Sequence, residues 1–204
     1  KAIWNCNIGF LMATRHHSAM RHVSGPRVEL AVRTLFNLLG PISNPAGVKR
    51  QLTGVFDKKW ITPMAQTLHQ LGTKKAWIMH GSDGSDELTT TGITYVSELN
   101  SGKITEFEVH PSDANIPTAK IEDLKGRDPK YNAQAIIEML NGSTSAYRNI
   151  VILNASAALI VAGKVKTLQE GKELATQAID SGEANRVLSR LITITNQDTI
   201  GENI

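Results

Sequence analysis

Apolar and polar positions along this chain follow two rhythms. Over 60–71 the apolar residues fall at Ile61, Met64, Ala65, Leu68 and Leu71, the three-and-four spacing of one helix face, and Gly72 follows as a stop. Short apolar runs at 51–56 (QLTGVF) and 75–80 (KAWIMH) read as strands. Residues 94–99 and 104–109 predict a hairpin that turns at Asn100-Ser101-Gly102. The pattern then predicts a loop over 110–130 and helices over 131–140, 147–162, 167–181 and 183–193, the last two separated by Ser181-Gly182. Upstream, 16–39 is helical in pattern but broken near Ser24-Gly25-Pro26, and Pro26 suits the first turn of a new helix. Residues 7–13 (NIGFLMA) read as a strand or a buried loop. Strand, helix, strand and then a polar glycine loop is α/β logic, and in such sheets ligands gather beyond the carboxyl ends of the strands.

Two segments fall where that rule places a site. The first is RTLFNLLGPISNPAG, residues 33–47. Its apolar helical part (Leu35, Phe36, Leu38, Leu39) is expected to stop at Gly40-Pro41, and a second turn pair, Asn44-Pro45, follows at once. Glycine accepts backbone angles closed to other residues and proline cannot extend a helix, so the segment predicts a rigid elbow that a ligand can approach closely. The second is GSDGSDE, residues 81–87, which sets Asp83, Asp86 and Glu87 beside two glycines. Mg²⁺ prefers oxygen ligands, keeps several waters and shares itself with substrate phosphates, so a pair of carboxylates suffices. An acidic solvated turn has the same spacing, and both readings stand.

Other polar residues carry less. Arg27 and Arg33 precede the elbow, and either can fork a carboxylate or phosphate or pair with a surface acid such as Glu29. His16 and His17 are adjacent and so point apart on a helix, while His22, His69, His80 and His110 default to structural or solvated roles. One cysteine and scattered histidines do not build a zinc cage. Asn154, inside the apolar run 147–163, reads as a satisfied core amide, and Thr89, Thr90 and Thr91 as a strand start.

Composition narrows the class. The 204 residues, 41% hydrophobic, suffice for one sizeable α/β core. No apolar run reaches the ~20 residues that span a bilayer; 150–163 is interrupted by Asn154 and Ser156. No leader pattern opens the chain, and the single Cys6 can form no internal disulfide, so a reducing cytoplasm is expected. The net charge of +3, from 22 basic and 19 acidic residues, is too small to argue for nucleic acid and is compatible with a phosphorylated small substrate. The chain opens on Lys1 rather than Met and runs straight into Ala2-Ile3-Trp4, which predicts a fragment of something longer.

Four stretches in order, HHSAMRHV (16–23), RTLFNLLGPISNPAG (33–47), HGSDGSDELT (80–89) and LQEGKELATQAIDSG (168–182), closely resemble the anthranilate phosphoribosyltransferases of tryptophan biosynthesis. The elbow is the most specific of them and the tail is mostly structural. The resemblance implies an α/β fold of the nucleoside-phosphorylase type, a central sheet flanked by helices, with a small helical domain and a homodimeric assembly. Residues 1–204 would be the later, catalytic α/β portion, with 16–33 as helices of the small helical domain. The family's Gly-rich diphosphate loop of GTGGD type does not occur in this sequence, so the isolated chain is expected to be inactive.

The reaction so implied is attack of the amine of anthranilate on C1 of phosphoribosyl pyrophosphate, giving N-(5-phosphoribosyl)anthranilate and pyrophosphate. By the same resemblance Asp86 and Glu87 hold Mg²⁺, Arg27 binds the anthranilate carboxylate, Gly40 and Pro41 line the ring pocket, and His17 lies near its entry path. No general acid or base is assigned. This sequence has Ser85 where many relatives have Leu or Met, Ser156 where Ala is frequent, and Ala13-Thr14-Arg15 where Ala-Pro is frequent. None of these is an assigned residue. A second class of function, a catalytically silent relative of the same fold that binds nucleic acid, draws on the small basic excess and would show steep salt dependence. The joint presence of Arg27, Gly40-Pro41 and Asp86-Glu87 argues against it.

Overall fold

The computed structural model describes residues 1–12 and 36–197. Its helices are α1 (Ala2–Cys6), α2 (Phe36–Ile42), α3 (Ile61–Gln70), α4 (Pro129–Leu140), α5 (Ala146–Ala162), α6 (Leu168–Asp180) and α7 (Glu183–Asn196). Its strands are β1 (Arg50–Gly54), β2 (Lys75–Gly81), β3 (Thr94–Asn100) and β4 (Lys103–Val109), one sheet in the order β1-β2-β3-β4. β1 and β2 run parallel with α3 as their crossover, and β2, β3 and β4 pair antiparallel.

The period of two along β2 decides the layers. Ala76 and Ile78 point to one face, where they meet Ile61, Met64, Ala65 and Leu68 of α3 and Leu38 of α2. Trp77 and Met79 point to the other, where Ile152, Leu153 and Ala157 of α5 and Leu168 and Ala175 of α6 complete the larger core. A strand covered on both faces reads as the unbroken apolar run that KAWIMH displays. The fold is therefore α/β with helices on both sides of the sheet, as expected.

Local chemistry sets the element ends. Asp128 accepts from the Tyr131 amide (2.9 Å) at the start of α4, with Pro129 in the first turn. Ser145 accepts from Arg148 N (3.1 Å) at α5, and Thr167 from Glu170 N (3.2 Å) at α6. The hairpin turns through Ser101 and Gly102, both with positive φ. Gly171 of α6 lies against α5 so closely that a Cβ there would sit 2.7 Å from the Ser156 Cα.

Three expectations change. The helix before the elbow does not stop at Gly40: α2 carries Pro41 inside it and ends at Ile42. Proline removes only its own amide, and the Ser43 amide still reaches the Leu39 carbonyl (2.9 Å). The true turn comes next, where Asn44 accepts through its side chain from Ala46 N (2.9 Å) and through its carbonyl from Gly47 N (3.0 Å). Residues 7–12 form no strand and, apart from partly covered Gly9, are exposed. Just before them lies the five-residue α1, whose start carries no side-chain cap that could have announced it. The expected loop over 110–130 contains two short 3₁₀ turns, Pro111–Ala114 and Ile121–Leu124. The helices expected over 16–33, with His17, Arg27 and Arg33, lie outside the described residues.

Candidate active site

The glycine loop leaves the carboxyl end of β2, as α/β topology requires of a site. Gly81, the last residue of β2, donates its amide to the Ser85 carbonyl (2.9 Å), and Gly84, at φ 89°, donates back to the Gly81 carbonyl (2.9 Å). This tight double turn surrounds Asp83. One oxygen of its carboxylate accepts from the Ser85 amide (3.1 Å) and hydroxyl (2.6 Å), and the other from the hydroxyls of Thr89 (2.6 Å) and Thr91 (2.7 Å). Asp83 is therefore engaged within the loop, which leaves Asp86 and Glu87 as the carboxylates not bonded to it. Thr89 and Thr91 are its donors rather than the start of a strand; β3 begins only at Thr94.

Burial pushes the Asp83 carboxyl up, but hydrogen bonds from the Ser85, Thr89 and Thr91 hydroxyls and the Ser85 amide prevail and bring it down to about 2 from 3.8. A carboxyl that is more acidic when folded stabilises the fold above its unfolded pKa, and that contribution fades as pH falls from about 4 towards 2. The urea midpoint of the wild-type chain should thus lose part of its margin over Asp83→Asn across that window. Parallel curves for the two proteins between pH 5 and 2 would remove this role.

Asp86 and Glu87 differ: both are exposed, and no hydrogen bond among the described residues engages either carboxylate. Protein packed around Glu87, and then the charges of Asp86 and Asp83, push its carboxyl up. Two contacts from elsewhere in the fold hold the backbone beneath them. Gly54, at the end of β1, abuts the Asp86 peptide, and a Cβ there would fall 1.4 Å from the Asp86 carbonyl oxygen. Asn154 of α5 bonds both backbone polar groups of Leu88, whose side chain is fully buried. His80 is structural: its Nδ1 bonds the Val55 carbonyl (2.8 Å) and ties the ends of β1 and β2 together.

A cavity of about 300 Å³ lies between the 123–126 segment, α4 and the start of α5, lined by Leu124, Lys125, Tyr131, Asn132 and Tyr147 among others. Burial, and then the charge of Glu87, push the Tyr147 phenol up, so this wall of the cavity lies within the field of Glu87.

The donor set suits Mg²⁺. Asp86 and Glu87 offer hard oxygens, and the crowding of negative charge at Glu87 is what a cation would relieve. Among the described residues no three His, Cys, Asp or Glu side chains gather into a metal cage. Mg²⁺ needs no such cage when phosphate and water complete its shell. Of the elbow residues, Gly40 has open space where a Cβ would stand, with no described atom within 4 Å.

Gly54 and the partner of Asn154 were not anticipated from sequence. An isolated glycine in the strand pattern QLTGVF is, however, a known sign of close backbone approach.

A family model described as "Glycosyl transferase family, a/b domain" matches residues 1–185. The chain is 55% identical over 195 residues to the anthranilate phosphoribosyltransferase of Parvibaculum lavamentivorans, covering 96% of this chain and 57% of that protein. It is 54% identical over its full 204 residues to that of Azospirillum brasilense, again 57% of the relative. The chain thus spans little more than half the length of the curated relatives it matches. The crystal structure of anthranilate phosphoribosyltransferase from Thermus thermophilus superposes with a TM-score of 0.86 at 40% identity, covering 94% of this chain and 57% of that one. The Saccharomyces cerevisiae enzyme in complex with PRPP and Mg gives 0.78 at 26% identity, covering 87% and 51%.

Proposed function

The chain belongs to the glycosyl transferase a/b-domain family, and from that premise we propose that it is the later portion of an anthranilate phosphoribosyltransferase, joining phosphoribosyl pyrophosphate to the amine of anthranilate. The observation that carries this reading is the exposed Asp86-Glu87 pair on a loop already ordered by Asp83 at the carboxyl end of β2. Relatives of the same fold named for this activity support it. The nucleic-acid alternative gains nothing from them.

The aromatic amine is a weak nucleophile, so the ribose carbon must become cation-like as pyrophosphate departs. Asp86 and Glu87 would hold Mg²⁺, which, when bound, offsets the charge growing on the leaving group. Arg27 grips the anthranilate carboxylate through its guanidinium fork. Gly40 and Pro41 form a wall for the ring, and His17 stands near its entry. With both reactants held in one cleft, proximity alone supplies up to ~7–11 kcal/mol of the barrier reduction. In the complete protein this reading carries a homodimer in the cytoplasm; among the described residues no helix is long and apolar enough to cross a membrane.

The test is loss of anthranilate fluorescence in the full-length protein with phosphoribosyl pyrophosphate and Mg²⁺. Turnover is expected there, and none from these 204 residues alone, which contain no Gly-rich diphosphate loop. Arg27→Ala is expected to raise the anthranilate KM by about tenfold or more, the scale of a lost charge-assisted pair. An unchanged KM would free Arg27 of that role.

A further inference from the structure

We propose that Asn154 is a positioning residue that aims the acid pair from helix α5. The proposal rests on the reading of Asp86 and Glu87 as the Mg²⁺-holding residues. Helix α5 is apolar over most of its length and packs against the sheet through Ile152, Leu153 and Ala157. An amide in such a helix invites a partner, since an unpaired polar group inside a protein is costly.

The partner is the peptide backbone directly after Glu87. The side-chain oxygen of Asn154 accepts from the Leu88 amide (2.9 Å), and its nitrogen donates to the Leu88 carbonyl (2.8 Å). The same nitrogen also donates to the Ile150 carbonyl one turn back in α5 (3.0 Å), which fixes the orientation of the amide itself. One side chain bonded to both polar groups of one residue holds that residue as a neighbouring strand would. The Leu88 amide belongs to the same peptide unit as the Glu87 carbonyl, so the clamp restricts the backbone of Glu87. Leu88 is itself fully buried and leaves that unit no room to slide.

The loop is thereby held at separate points by separate parts of the chain. Asp83 and its hydroxyl donors close it from within, Gly54 of β1 bears on Asp86, and Asn154 of α5 grips the residue after Glu87. The Asn154 contact spans 66 residues of sequence. A leucine at 154 would suit the helix and the core, yet could not make this contact. The amide therefore serves the loop rather than the helix.

A merely structural amide and a positioning one differ in what they move. The experiment measures Mg²⁺ binding to the full-length protein directly by isothermal titration calorimetry and, beside it, steady-state phosphoribosyl transfer at saturating anthranilate with Mg²⁺ varied. Asn154→Ala is expected to raise the Mg²⁺ Kd and the Mg²⁺ concentration for half-maximal rate about tenfold or more, the scale seen when residues that orient metal ligands are lost, and to leave the anthranilate KM within twofold. Circular dichroism establishes that the variant is folded. Should it not fold, Asn154→Ser takes its place, since a hydroxyl can bond the Ile150 carbonyl within α5 yet is too short to bridge Leu88. A folded variant with a Mg²⁺ Kd or midpoint within twofold of wild type overturns the proposal, as does a rise in anthranilate KM equal to the rise in the Mg²⁺ midpoint. Asp86→Asn is measured alongside. A wild-type Mg²⁺ response in that variant overturns the reading of the acid pair, and the role of Asn154 falls with it. A shifted response in Asp86→Asn beside an unshifted one in Asn154→Ala overturns the role of Asn154 alone.

Discussion

Asp86→Asn is expected to lower kcat/KM for phosphoribosyl transfer in the full-length protein by about 10²–10³, the cost typical of removing one group that answers charge in a transition state. On the proposed reading, negative charge accumulates as pyrophosphate leaves that water would otherwise have to solvate, and Asp86 and Glu87 would recruit a cation for it. The neutral amide keeps the size of the carboxylate and loses its charge. Because Asp86 is exposed, stability should stay within about 0.5 kcal/mol of wild type. The loss therefore belongs to kcat and to the Mg²⁺ dependence, with the anthranilate KM little changed. Steady-state kinetics at several Mg²⁺ concentrations checks it, and a variant with wild-type kcat/KM throughout would remove Asp86 from the mechanism.

Gly54→Ala is the second large effect, and it comes from the backbone. A Cβ at position 54 would fall 1.4 Å from the carbonyl oxygen of Asp86 and 2.3 Å from its carbonyl carbon. A flexible side chain could swing away from such an intrusion, but a peptide group cannot. Either β1 or the acid loop must shift. Overpacking of this kind costs about 1–3 kcal/mol, and for a chain of this size each kcal/mol lowers Tm by about 2–4 °C. Activity is expected to fall with it, since the residue displaced is one of the acid pair. Thermal unfolding monitored by circular dichroism, with transfer kinetics on the full-length protein, reads both effects. An unchanged Tm together with an unchanged Mg²⁺ midpoint would show that the contact between β1 and the loop is dispensable.

The main elements were legible because each carried its own local cause. The three-and-four spacing over 60–71 became α3, and the apolar run KAWIMH became a central strand because helices cover both its faces. Helix starts followed their caps at Asp128, Ser145 and Thr167. The acid loop was legible as well, since glycine-flanked carboxylates after a strand are a local pattern. Its internal order was not. Asp83 resembled its neighbours in sequence, and only the loop closing back on Thr89 and Thr91 separates it from Asp86 and Glu87. The contacts of Gly54 and Asn154 join segments distant along the chain and depend on how the layers stack. Pro41 misled in the other direction, because a short helix can carry a proline near its end when the following amide still finds its acceptor.

Asp83 is answered by its own loop before any ligand arrives. Fixing a residue's backbone costs roughly 1–2 kcal/mol, and here that ordering accompanies folding rather than capture of an ion. On the proposed reading, affinity for a cation at the acid pair would then be governed by stripping water from the cation and the carboxylates. A change that merely loosens the core beneath Leu88 would pass, in an activity screen, for a defect in metal binding.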